Sequence, residues 1–351
     1  MLVCAGIVAG FMAATAAPMA AADTCVLIEG VPWYQQTNAM GCGPASLQMI
    51  FDFYGQHIDQ REIVFATGTE PSAGIGLPGM VKGGHFSDLS VIDLPNCKIV
   101  GYTDRGLGYA AFSVSLDEFW LDGLKALIDM GYPVIVNQWF GYETMGNSNT
   151  VPASLPIGHY RIVVGYDDAT REVIVQDPWG RDYKQESDFQ GTMSDQPGYD
   201  PDFEGLRFDY DYFQLIWSRN FQVPYRAIFV APWHVDINTV VSGMNLEVTA
   251  TVTYPCPAPF GSSQYPASDV QVQITLPAGL ELAEGETATK TVVAGLSAGG
   301  TIEVTWDIVA SSAGSYEVSV LAQGIVSDLV DDIPYTDRIG GDATASIAVA
   351  S

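Results

Sequence analysis

Positive charge is what this chain has least of. Its 351 residues hold 14 Lys and Arg against 41 Asp and Glu, a formal net charge of −27 at pH 7. A surface of that sign repels nucleic acid and anionic lipid headgroups, so neither is expected as a partner. Charged residues make up only 16% of the chain and apolar ones 48%, which is the composition of packed cores and not of a disordered polyelectrolyte. Histidine is scarce, at His57, His85, His159 and His234, and cysteine occurs at five positions. There is no Cys-x-x-Cys and no His-Glu-x-x-His, so the common zinc sites are excluded. The glycine-rich GIGLPGMVKGG at 74–84 follows no clear strand and lacks the spacing of a phosphate-binding loop; it reads as a loop that continues through His85. No cofactor is expected.

Charge is also missing from the first 22 residues, and the first basic residue is Arg61. An apolar run closing on Ala20-Ala21-Ala22 before Asp23 reads as a signal peptide over 1–22, although it lacks a positive leading region. The expected location is secreted or at the cell envelope, with no membrane segment once 1–22 is removed. Cys4 leaves with the signal. Cys25, Cys42, Cys97 and Cys256 remain, and in an oxidising compartment these permit bridges. A Cys42 that must stay free allows one disulfide at most. Cys25–Cys97 is the expected pair, with the connectivity to Cys256 open.

Two domains suit this length. Residues 23–235 mix helical and strand patterns, whereas 236–351 carry only strand patterns. Beyond Cys42, the residues Leu47, Ile50, Phe51 and Tyr54 keep the spacing of a helix with one buried face. Pro44 suits its first turn and Gly55 its end. A second helix follows Ser115 and Glu118, which have the spacing of a capping box; Trp120, Leu124 and Leu127 mark its inner face and Gly131 its end. A shorter helix starts at Asp59. In HYRIVVGYDDATREVIVQDPWG, two β-branched runs flank Asp167-Asp168-Ala169-Thr170, a hairpin signal. The acidic 195–211 segment has oxygen ligands enough for calcium but matches no EF-hand, and is expected to be a solvated loop. The tail alternates apolar and polar residues in runs such as NLEVTATVTY, SDVQVQITL and TIEVTWDIV, broken by Gly, Pro and Ser. That is the pattern of an antiparallel sandwich of Ig-like size.

The chemistry centres on Cys42. A thiol is a useful nucleophile as a thiolate, and a helix N-terminus and a nearby imidazolium both favour that form. The helix after Cys42 supplies the first. The hairpin supplies the second, because the start of its first strand, at His159, and the end of its second, at Asp177, meet at one edge. Asp177 can then hold the imidazole by its other nitrogen. The backbone N–H of Cys42 and the side-chain amide of Gln36 are the candidate oxyanion donors, with Gln35 expected to turn away.

These residues also carry a resemblance. VPWYQQ, CGPASLQM, FYG, GYPVIV, GHYRIVVGYDD and VIVQDPWG, in that order over about Val31 to Trp217, resemble the C39-like peptidases, a branch of the papain-like cysteine peptidase fold. The resemblance implies Cys42 as nucleophile, His159 as general base, Asp177 as orienting residue and Gln36 as oxyanion donor. It also implies a helical half bearing the cysteine against a strand-rich half bearing the histidine. Known members remove leader peptides after a Gly-Gly pair, but the appended segment here is of another kind, so the resemblance implies the reaction and not the cleavage site. The stretch LPAGLELAEGE with TIEVTWDIVASSAGSYEVSV resembles Ig-like and NEW3-type modules of secreted prokaryotic proteins.

The expected protein is α+β: a papain-like cysteine peptidase domain followed by an all-β Ig-like sandwich, acting on a peptide or protein, with a cell-envelope ligand conceivable for the second domain. Two alternatives use the same residues differently. One is a catalytically silent envelope-binding protein, and the other is a transamidating or cross-linking enzyme in which an amine replaces water.

Overall fold

The computed structural model describes residues 24–38, 40–69, 74–90, 92–94, 97–99, 106–140, 157–179, 204–218, 224–255, 265–330 and 333–350. The expected signal segment 1–22 lies outside them, as does the acidic loop up to residue 203.

As far as Ala231 the chain forms β1 (Cys25–Leu27), α1 (Cys42–Phe53), α2 (Gln60–Thr67), α3 (Leu77–His85), β2 (Ile92–Leu94), β3 (Cys97–Ile99), β4 (Ala110–Ser115), α4 (Trp120–Asp129), β5 (Val134–Phe140), β6 (Ile157–Asp167), β7 (Glu172–Gln176), β8 (Leu206–Asp209), α5 (Tyr210–Ser218) and β9 (Arg226–Ala231). Seven of these strands make one sheet in the order β4-β9-β5-β6-β7-β8, with β1 also on β6. The expected hairpin is there: β6 and β7 pair antiparallel with Asp167 opposite Glu172.

α1 starts at Cys42, as its apolar spacing predicts, and Gly55 beyond its end takes φ +81°. It is buried on more than one side, because Ala45, Ser46 and Met49 are enclosed along with Leu47, Ile50 and Phe51. The cause is its position between β6 on one side and α2 and α3 on the other. α2 is capped by Asp59, whose carboxylate accepts from the Arg61 amide at 2.7 Å. The capping box expected at Ser115 does not form. The Ser115 hydroxyl instead lies 2.7 Å from both the Asp117 carboxylate and the Pro224 carbonyl, and α4 begins at Trp120 without a side-chain cap.

The stretch expected to be a loop carrying His85 is instead helix α3, buried at every position. Its glycines explain both the helix and the misleading sequence. A Cβ on Gly83 would lie 2.5 Å from the Thr67 methyl, and one on Gly84 would lie 2.8 Å from Ala111. Close packing has overridden a poor helix propensity.

The expected Cys25–Cys97 bridge is absent. Cys25 is a free, exposed thiol on β1, opposite Asp167 of β6, whereas β3, which begins at Cys97, pairs only with β2 in a separate two-stranded sheet.

The rest of the chain is β10 (His234–Ser242), β11 (Asn245–Thr253), β12 (Ala267–Thr275), β13 (Leu280–Leu282), β14 (Thr289–Val292), β15 (Thr301–Ala310), β16 (Gly314–Val330) and β17 (Ile333–Val349). They form two four-stranded antiparallel sheets, β10-β11-β15-β13 and β14-β12-β16-β17. Alternation does what it predicts: Leu246, Val248, Ala250 and Val252 of β11 are buried, as are Val270, Val272 and Ile274 of β12. β16 and β17 run past the Gly and Pro signals that suggested breaks. At Gly340 and Gly341 a Cβ would fall 2.1 Å from the Ala322 carbonyl and 2.0 Å from that of Trp233, so the strand continues because glycine lets three backbones crowd together.

α3 packs against β17, joining the two regions. Arg338 N–H donates to Ser87 Oγ at 2.8 Å, its guanidinium meets Asp88 at 2.7 Å, and Gly340 N–H donates to the Gly108 carbonyl at 2.6 Å. Among the described residues no helix is long and apolar enough to cross a membrane.

Candidate active site

Three segments converge. The first is 31–38, an irregular stretch ahead of α1. It is laced to the segment leaving β7: Gln176 Nε2 donates to the Val31 carbonyl at 3.1 Å, Trp33 Nε1 to the Asp177 carbonyl at 2.6 Å, and Gln36 N–H to the Pro178 carbonyl at 2.6 Å. These bonds hold the end of β7 beside the start of α1. Gln36 is buried, and its side-chain amide donates to the Asn38 carbonyl at 2.8 Å. Gln35 donates its amide to the Trp179 carbonyl at 3.4 Å.

The second segment is the start of α1. Cys42 is its first residue and its backbone N–H is among the donors that no intrahelical carbonyl meets. The first turn holds no acidic residue to cancel the positive end of the helix. Gly43 makes room there: a Cβ would stand 2.4 Å from Ile75 Cγ2 and 2.6 Å from Met80 Sδ.

The third segment is the hairpin edge. His159 and Asp177 are both buried, and the ring Nε2–H donates to Asp177 Oδ1 at 2.7 Å. The His159 ring also hydrogen-bonds the Cys42 thiol. Trp179 stands edge-on to the imidazole, ring centroids 5.8 Å apart at 89°. Cys42, His159 and Asp177 thus meet at one place, and the Gln36 backbone is tied to Pro178, next to Asp177.

Electrostatics follow from this placement. Burial pushes the Cys42 thiol up, but the hydrogen bond and charge of His159 and the amides of Tyr160 and Gly43 more than offset it, leaving the thiol more acidic than usual. Burial opposes charging of His159, yet the Asp177 carboxylate outweighs it and raises the imidazole, with the Arg161 cation working the other way. Burial likewise opposes ionisation of Asp177, which the charges of Arg161 and His159 overcome, holding the carboxyl well below its ordinary range. A pair with an acidified thiol and a basic imidazole favours thiolate beside imidazolium.

Several contributors went unseen in the sequence. Arg161 lies two residues past His159 in HYRIVV, and strand alternation alone puts it on the same face. Gln60, in the first turn of α2, accepts from Thr37 N–H at 2.8 Å through Oε1 and donates through Nε2 to the Gln35 carbonyl at 3.2 Å. No sequence signal announces Gln60. The remaining histidines are elsewhere. His85 is buried in α3 with Nδ1 2.9 Å from the Tyr109 carbonyl and Nε2 3.7 Å from Asp337. His57 is exposed beside Asp52, and His234 meets the Tyr132 hydroxyl at 2.9 Å. Among the described residues no cluster of three or more His, Cys, Asp or Glu could hold a metal ion.

Residues 28–196 match the Peptidase_C39 like family. No curated protein matches the chain. Similar solved structures include the peptidase domain of Streptococcus ComA, a bi-functional ABC transporter of a quorum-sensing pathway, at 20% identity and a TM-score of 0.36, covering 58% of this chain and 99% of that one. A double-glycine-motif protease from an AMS/PCAT transporter, solved in complex with its leader peptide, is 12% identical with a TM-score of 0.31, covering 59% and 97%. Xylellain, a cysteine protease from Xylella fastidiosa, is 14% identical with a TM-score of 0.35, covering 59% and 85%.

Proposed function

We propose that residues 28–196, which match the Peptidase_C39 like family, make this chain a cysteine-type peptidase that hydrolyses peptide bonds through Cys42, His159 and Asp177, with Gln36 at the oxyanion. The observation that carries the proposal is the imidazole of His159, bound to Asp177 at 2.7 Å through Nε2 while it hydrogen-bonds the Cys42 thiol. The Cys42 thiolate attacks the carbonyl carbon of the scissile bond. The negative charge that develops on oxygen is met by the Cys42 N–H and the Gln36 amide. Imidazolium gives its proton to the departing amine, leaving a thioester. Water, deprotonated by the neutral imidazole, then attacks that thioester, releasing the acid and regenerating the thiol. Asp177 stays ionised throughout and steadies the imidazolium.

The substrate is a peptide or protein. Export through removal of 1–22 accords with the uncharged, alanine-rich leader and the acidity of the remainder. Residues 236–351 are read as an Ig-like sandwich module, which their alternately buried strands favour. N-terminal sequencing of the exported protein tests the first point: a start at Asp23 is expected, and an intact Met1 overturns it.

Replacing Cys42 with Ala tests the chemistry. Hydrolysis of a peptide mixture is expected to vanish while the melting temperature holds. Undiminished turnover in that variant removes Cys42 from the reaction.

A further inference from the structure

The hairpin edge holds one charged group more than a cysteine, histidine and aspartate require. Arg161 is wholly buried, with its guanidinium inside the site. Its Nε donates to Asp177 Oδ2 at 2.6 Å, and its Nη1 donates to Gln138 Oε1 at 2.9 Å. The guanidinium carbon lies 5.4 Å from the centre of the Phe208 ring. Gln138 sits on β5 directly opposite His159 of β6, so the partner strand braces the same cross-strand position.

The two carboxylate oxygens of Asp177 are divided between two duties. Oδ1 takes the imidazole, and also the Trp179 amide at 2.9 Å, whereas Oδ2 takes Arg161. A carboxylate held at both oxygens cannot rotate about its Cβ–Cγ bond without breaking a charge-assisted hydrogen bond in a buried place.

We propose that Arg161 is a positioning residue of this site: it clamps Asp177 through Oδ2, keeps Oδ1 on His159, and supplies the charge that lets a buried thiolate form. The proposal rests on the roles given above to Cys42, His159 and Asp177. Among the described residues, the ionisable groups facing His159 are Cys42 from α1, Asp177 beyond β7 and Arg161 on its own strand. Thiolate, imidazolium and carboxylate together carry one net negative charge. The guanidinium brings the set to neutrality, and a neutral set is far less costly to bury than a charged one. Losing Arg161 leaves the anion in excess, so the thiol holds its proton to higher pH. The imidazolium, no longer repelled by a neighbouring cation, holds its proton to higher pH as well. Both ends of the reactive window move the same way.

The full chain tests this with iodoacetamide, the rate being read at Cys42 by peptide mass across pH. Arg161→Met is expected to raise the midpoint by about one unit, so that alkylation below both midpoints slows about tenfold. Arg161→Lys keeps the cation and is expected to return the midpoint close to wild type. A packing role alone would lower the melting temperature and leave the midpoint where it was. An unshifted Arg161→Met profile, or an Arg161→Lys profile displaced as far as that of Arg161→Met, overturns the proposal. Where Arg161→Met does not fold, Gln138→Leu decides: it removes the guanidinium's second anchor, an upward shift is expected, and a profile superimposed on wild type is the overturning result. A wild-type Cys42 that alkylates as an ordinary thiol overturns the site assignment itself and this proposal with it, an outcome distinct from a reactive wild type with an indifferent Arg161.

Discussion

Lys82 of α3 and Asp337 of β17 stand 255 residues apart in the chain, yet they form an ion pair at 2.6 Å with both side chains fully buried. The mixed α/β region and the β-rich region thus share an internal salt bridge. α3, which bears Lys82, also presses Met80 against Gly43 beside Cys42. A change in the last strand is thereby two packing steps from the thiol.

Asp337→Ala is expected to destabilise the protein by about 3–5 kcal/mol, because it strands a buried ammonium. The double variant Lys82→Met with Asp337→Leu should recover most of that loss, since apolar groups of similar size replace a buried pair with little penalty. Urea unfolding of the three proteins measures both. A single variant within experimental error of wild type contradicts the burial of this pair.

The pH dependence of Cys42 follows from its neighbours. Burial raises the thiol, whereas His159 lowers it past the ordinary value of 9.0. Wild-type alkylation should therefore have its midpoint below 9.0. His159→Asn removes the lowering cause and leaves the burial, so the midpoint should move upward, above the ordinary thiol value. A midpoint that does not rise would separate the imidazole from the thiol.

Gln36→Ala should cut kcat by about 100-fold, the usual loss of one oxyanion donor, and leave Cys42 alkylation intact. Gln60→Leu acts one step back. It releases the Gln35 carbonyl and the Thr37 amide, so a smaller fall in kcat, about tenfold, is expected at unchanged thiol reactivity. Steady-state kinetics beside iodoacetamide rates distinguishes the two, and a kcat unchanged in Gln36→Ala assigns the oxyanion contact elsewhere.

Gly43→Ala probes the fit at the helix mouth. Its Cβ would lie 2.4 Å from Ile75, and overpacking of this kind costs about 1–3 kcal/mol. Thermal melting should show the loss, together with slower alkylation as the first turn shifts. An undisturbed melt would mean that Ile75 and Met80 yield freely.

Much of the site was legible in one dimension. Cys42 at a helix start came from apolar spacing in CGPASLQMIFDF, and the meeting of His159 with Asp177 came from a hairpin whose turn residues declare themselves. Both are local patterns, with the pairing of distant residues supplied by antiparallel geometry. The failures share the opposite character. α3 was hidden because Gly83 and Gly84 speak against a helix, and only the approach of Thr67 and Ala111 makes them necessary. Ser115 spends its hydroxyl on Asp117 and Pro224, neither of which a capping pattern can foresee.

The amino-acid order by itself determined which residues could do chemistry and where their strands and helix begin, because periodicity and turn chemistry act over a few residues. Tertiary structure decided the rest: that Arg161 balances Asp177, that Gln60 holds the loop carrying Gln36, and that Asp337 neutralises Lys82. A buried charge must find its partner in space, and nothing in the chain between Lys82 and Asp337 records that they will meet.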